Sequence, residues 1–88
     1  MVSREVKICN TVGLHARSAT FFIQRANRFS STSIWIEKDE RRMDAKSLLG
    51  VLSMGIKKDT LITLLADGPD EQEAIESLCD LIENGLEK

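Results

Sequence analysis

Histidine is almost missing from this chain. There is one, alongside two cysteines, one proline, three phenylalanines, one tryptophan and no tyrosine. One His with Cys9 and Cys79 offers no metal-ligand spacing, so a zinc site is excluded. Two cysteines so far apart, with no secretory signal, read as buried or idle thiols rather than a disulfide. Charge of one sign is also lacking: 12 basic residues stand against 14 acidic, a formal net charge of -2. General nucleic-acid affinity needs a basic field and is not expected, although a local basic patch is compatible with this balance. No apolar run approaches the roughly 20 residues of a membrane span. Residues 1–9 are too short and too charged for a signal peptide. The expectation is a soluble, cytoplasmic protein with no membrane insertion. No repeat, low-complexity tract or linker divides the chain, so residues 1–88 are read as one domain. A chain of this size buries roughly 60% of its unfolded surface, enough for a modest core.

Periodicity supplies the elements. In residues 2–8 (VSREVKI), Val2, Val6 and Ile8 share one alternating face, with Arg4 interrupting it, which reads as a half-buried strand. Residues 16–29 switch to helical spacing, with Ala19, Phe22, Ile23, Ala26 and Phe29 as the apolar stripe. SIWIEK, residues 33–38, is a strand with Ile34 and Ile36 inward. DERR follows as a turn, and a short strand near Arg41 to Asp44 is plausible. Residues 47–54 form a short helix with Ser47 as N-cap and Gly55 as the left-handed residue that ends it. TLITLLA, residues 60–66, is apolar on both faces and suits a central strand. After the Gly68-Pro69 break, Asp70 with Glu73 has capping-box spacing before a helix that buries Ala74, Ile75, Leu78, Leu81, Ile82 and Leu86. The order β-α-β-β-α-β-α predicts an α+β domain, with helices layered on one face of an antiparallel sheet.

The chemistry gathers at residues 13–17. Gly13 permits a tight turn into the first helix. That places His15 at or beside the N-cap, where backbone N–H groups lack internal partners and carry partial positive charge. Such a position favours a neutral, nucleophilic imidazole and makes a site for a phosphate-like anion. Arg17 adds a fork of donors for phosphate oxygens. The set can receive a phosphoryl group. It has no P-loop or Mg²⁺ ligands for nucleotide chemistry, and no base for water. From the residues alone the plainer reading, an exposed cap histidine without chemistry, remains favoured.

GLHARSA, residues 13–19, closely resembles the active-site segment of the HPr family, the histidine phosphocarriers of the bacterial sugar phosphotransferase system. DAKSLLGVLSMGI, residues 44–56, independently resembles the family's regulatory serine region. The resemblance covers essentially the whole chain. It implies an open-faced β-sandwich, with a four-stranded antiparallel sheet and three helices on one face. It implies that His15 accepts a phosphoryl group from enzyme I and passes it to the IIA component of a sugar transporter, with Arg17 stabilising the phosphate. Leu48, Leu49 and Leu52 would then dock partners, with at least one of them in the core instead. Ser47 would be the target of an HPr kinase, besides being a helix cap, and a phosphate there could recruit a catabolite-control transcription regulator. No cofactor and no catalytic turnover are implied, and a monomer is expected.

The family motif usually reads His-Ala-Arg-Pro, whereas this chain has Ser18. Proline suits a first helical turn because its φ is preset. Its loss predicts a looser turn and an added hydroxyl near the phosphate, making Ser18 a candidate phosphate contact. Three function classes follow. The first is a phosphocarrier through His15. The second is a regulatory paralogue acting through Ser47 and by binding partner proteins in carbon or nitrogen control; the catabolite-repression paralogue that lacks the histidine fits less well because His15 is present. The third, an RNA-binding ferredoxin-like domain, needs paired aromatics on its strands, and only Trp35 is available.

Overall fold

The computed structural model describes residues 1–10 and 13–86. Four strands, β1 (Val2–Lys7), β2 (Ser33–Lys38), β3 (Arg41–Asp44) and β4 (Leu61–Asp67), form one antiparallel sheet in the order β1-β4-β2-β3. Three helices, α1 (Ala16–Ala26), α2 (Leu48–Ser53) and α3 (Glu71–Asn84), complete the predicted order β-α-β-β-α-β-α. The register explains the layering. Val6 pairs with Ile62, Ile34 with Ala66 and Ile36 with Leu64, so six buried apolar side chains share the helix-facing side. Phe22 and Ala26 of α1, Val51 of α2 and Ile75, Leu78 and Ile82 of α3 close over them. The other sheet face is open. There Trp35 stands beside its cross-strand partner Leu65, with the Arg42 guanidinium 6.0 Å from the ring centroid and 3.1 Å from Glu37. Trp35 is the sole aromatic on any of the four strands, so the paired platform of an RNA-binding sheet is missing.

The doubly apolar reading of β4 holds, because it is flanked by β1 and β2. Arg4 breaks the apolar alternation at the sheet's edge. It stands opposite Leu64, on the helix-facing side but exposed at the margin, where its charge pulls on the Cys79 thiol of α3. A charged residue aimed inward on an edge strand also discourages pairing with a second sheet.

Local details differ from expectation at several places, and Leu86, expected on the last helix, is buried just beyond the end of α3. First, α1 ends at Ala26, three residues before Phe29. Asn27 donates both its backbone N–H and its side-chain Nδ2 to the Ile23 carbonyl, each at 2.9 Å. Tighter bonds from Arg28 to Arg25 and from Phe29 to Ala26 then turn the chain. Phe29 is buried all the same, by the turn rather than by helical phase. Second, Ile23 is only partly buried, at the margin of the apolar stripe.

Third, the turn after β2 is confined to Asp39 and Glu40, at φ 52° and 67°, while Arg41 and Arg42 belong to β3. Two positive-φ residues in a two-residue connection match the right-handed twist of the paired strands. Fourth, Asp70 occupies the N-cap position of α3 but makes no side-chain cap. Its backbone N–H is instead drawn to Thr32 Oγ1 at 3.1 Å, and the Glu71 carboxylate accepts from Gly68 N–H at 3.1 Å. The buried Thr32 hydroxyl thus takes the N–H that Glu73 would receive in a capping box.

The two thiols are free and unlike: Cys9 is exposed, whereas Cys79 is buried and burial pushes its pKa up, against a smaller opposing pull from Arg4. Since the thiolate is the reactive form, native protein should take up one equivalent of iodoacetamide at Cys9 and a second only in denaturant. Fast double labelling of the native state would refute this account of Cys79. Phe22 is fully buried, so Phe22→Ala should lower unfolding free energy by about 3–5 kcal/mol; a urea curve that overlays wild type would place this helix face wrongly.

Candidate functional site

The site begins with a glycine. Gly13 has φ +70°, and a Cβ built on it would stand 2.4 Å from the Ile56 carbonyl oxygen and 2.7 Å from Lys57 Cα. Both conditions demand glycine: the left-handed backbone and the close approach of a second chain segment. Leu14 N–H then donates to the Ile56 carbonyl at 3.0 Å. The entry to α1 is thereby pinned to the segment that follows α2. Gly55 at φ 60° ends α2 in the left-handed conformation expected from sequence.

His15 is the N-cap of α1, at φ -96° and ψ -176°, and its side chain is exposed. Its carbonyl accepts the first helical bond, from Ala19 N–H at 2.7 Å. The first turn contains no acidic residue. The result is an exposed imidazole at the positive end of an eleven-residue helix, with no carboxylate in that turn to compete with a bound anion.

Ser18 behaves differently from the sequence expectation of a looser turn. It is 3% exposed. Its hydroxyl donates to the Gly13 carbonyl at 2.7 Å and accepts from His15 N–H at 3.0 Å. The second bond is the reciprocal half of a capping box, made from the N3 position. Asn10 Nδ2 reaches the same Gly13 carbonyl at 2.7 Å. The proline's fixed φ has been replaced by hydrogen bonds that tie residues 10, 13, 15 and 18 together. The hydroxyl points into this turn, with donor and acceptor both engaged, so contact with a phosphate would require breaking the turn.

Arg17 is exposed, with its guanidinium carbon 6.0 Å from the Phe21 ring centroid, one helical turn on. It makes no ion pair among the described residues. Ser47 caps α2, accepting from Gly50 N–H at 3.1 Å, and is partly exposed. Of the three leucines, Leu48 and Leu49 are 39% and 80% exposed, while Leu52 is half-buried. Val51 is the residue that α2 gives to the core.

His15 and Leu52 line one open depression. Its remaining wall carries Lys57 and Lys58. These two lysines were not singled out from the sequence, where only their position straight after the Gly55 helix stop hints at them. No cluster of three metal-ligating side chains exists among the described residues, and no helix is long and apolar enough to cross a membrane.

The Ser18 bonds should be measurable. Ser18→Ala leaves the buried Gly13 carbonyl short of one donor and the His15 N–H without its partner. It should cost about 1–2 kcal/mol in urea unfolding. Wild-type stability in this variant would mean that the hydroxyl does not hold the turn.

Comparison with known proteins agrees with this architecture. The PTS-HPr family model, described as the PTS HPr component phosphorylation site, matches residues 2–84. The HPr-like protein Crh of Halalkalibacterium halodurans is 47% identical over 83 residues, spanning 94% of this chain and 98% of that protein. A crystal structure of the phosphocarrier protein HPr from Bacillus anthracis superimposes with a TM-score of 0.88 at 40% identity, covering 92% of this chain and 95% of that one. A structure of Crh from Bacillus subtilis, described as a swapped dimer, superimposes with a TM-score of 0.76 at 40% identity over 97% of each chain. In sequence, sheet order and helix placement alike, this chain belongs to the HPr family.

Proposed function

We propose that this protein carries a phosphoryl group on His15 within the bacterial phosphotransferase relay. The observation that carries the reading is the exposed imidazole at the N-cap of α1, free of acidic neighbours in the first turn. In the forward step an imidazole nitrogen attacks phosphorus, the bond from phosphorus to enzyme I breaks, and its electron pair stays with enzyme I. The return step passes the group to a IIA component by the same exchange. Helix N–H groups and Arg17 favour the phosphorylated state by facing about two units of negative charge. Arg17 has to leave Phe21 or swing over it to bind the oxygens, an exposed motion with a small barrier.

Leu48 and Leu49 offer apolar contact for the partners, and Leu52 extends it to the histidine. A patch this small suits brief encounters, which a relay requires. Ser18 acts here as a positioning residue, through the turn, rather than as a phosphate ligand. We place the protein in the cytoplasm, acting as a monomer and without a cofactor of its own.

A regulatory role is the second reading, favoured by the 47% identity to a relative named Crh. In that role an HPr kinase phosphorylates Ser47, and the modified surface binds a catabolite-control transcription regulator. The partly exposed Ser47 hydroxyl already sits at a helix N-terminus, which tolerates the added charge. The modification then alters docking beside Leu48 and Leu49 without unfolding α2.

Intact mass after incubation with phosphoenolpyruvate, Mg²⁺ and enzyme I separates the two. Gain of one acid-labile phosphoryl group, absent in His15→Ala, is the expected outcome. No gain from several enzyme I sources, with phosphorylation retained at Ser47 by an HPr kinase, would transfer the assignment to the regulatory role.

A further inference from the structure

We propose that Lys57 and Lys58 are a second cationic wall of the His15 site, positioned to hold the phosphoryl group across the depression from the imidazole. The inference deepens the carrier reading and depends on His15 bearing a phosphoryl group. Four observations converge on it. Both lysines line the depression that His15 opens into. Their backbone is held from two sides: Gly13 and Leu14 lie against Ile56 and Lys57, while Ile8 bonds Thr60 at 2.9 Å and accepts from Asp59 at 2.7 Å. Thr60 also closes the turn on itself, with Lys57 N–H reaching its hydroxyl at 3.2 Å and its own N–H reaching the Lys57 carbonyl at 3.2 Å. The lysine stems therefore start from a fixed platform although their ends are exposed.

Neither lysine makes an ion pair among the described residues, not even with the adjacent Asp59. The segment that carries His15 and α1 brings no opposing charge, since no Asp or Glu occurs between Glu5 and Glu37. Arg17, the cation closest to His15 in sequence, is stacked on Phe21. That leaves the two lysines as unengaged cations on the depression that the imidazole also lines. Their role is positioning. They favour the doubly ionised phosphoryl group and present an anionic partner with a basic rim.

The electrostatic consequence can be read without enzyme I. Phosphoramidate phosphorylates imidazole directly: its P–N bond breaks, ammonia leaves and a new P–N bond forms on His15. The ³¹P NMR titration of the product then reports the second ionisation of the phosphoryl group. A cation a few ångströms away in near-aqueous surroundings lowers that midpoint by about half a pH unit. Lys57→Gln and Lys58→Gln should each raise the midpoint by about that amount, and the double variant by about one unit. Lys57→Arg should restore the wild-type value, and added salt should shrink every shift. Asp59→Asn, removing the nearest carboxylate in the turn, should move the midpoint the opposite way.

A double variant that titrates with wild type would overturn the proposal. Uptake from phosphoramidate together with failure to accept from enzyme I would remove the carrier reading while leaving this assignment standing. Phosphoramidate labelling that is equal in His15→Ala would remove both.

Discussion

Much of the functional end of this protein depends on one backbone contact. Gly13 meets the Ile56–Lys57 peptide so closely that a single methyl group would collide with it, and the next residue donates its N–H to the same carbonyl. This contact orients the entry to α1 and so decides where His15 stands. It also decides what His15 stands beside. The segment it grips is the exit of α2, carrying Leu52 on one side and the two lysines on the other. An apolar core alone would hold α1 and α2 against the sheet, but burial is non-directional. A glycine contact and a hydrogen bond supply the direction.

Ser18 shows a second solution to starting a helix. A proline at this position acts through covalent geometry, by fixing φ. The serine acts through its hydroxyl, which joins the carbonyl before the N-cap to the N–H of the N-cap itself. The two devices differ in consequence. The hydroxyl contacts can break and re-form, while a proline's φ cannot relax. The turn beneath the histidine is therefore held by hydrogen bonds rather than by covalent geometry.

Charge is distributed unevenly despite a formal net charge of only -2. The acidic residues Glu71, Glu73, Glu76, Asp80 and Glu83 crowd α3, while the His15 depression is framed by Lys57 and Lys58, with Arg17 on the first turn beside it. Total charge is thus a poor guide to the local field. A small domain can remain near neutrality while one end carries a concentration of positive charge.

The sequence by itself determined the element order, the inward face of β2, the central place of β4, the apolar stripe of α3 and the capping of α2 by Ser47, because each is a local pattern or a local bond. The pairing of GLHARSA with DAKSLLGVLSMGI pointed to the family for the same reason: motifs are local. The tertiary structure decided whatever needs two distant segments. It gave the Asp70 N–H to the hydroxyl of Thr32, far away in sequence, where a local capping box would have given it to Glu73. It turned the chain at Asn27 and still buried Phe29, since burial by a turn follows no helical period. It aimed the Ser18 hydroxyl into the turn rather than outward, a matter of one rotamer and one carbonyl. And it brought Lys57 and Lys58 to His15 across nearly half the chain, a proximity that the Gly13 contact helps to create and that no spacing rule records.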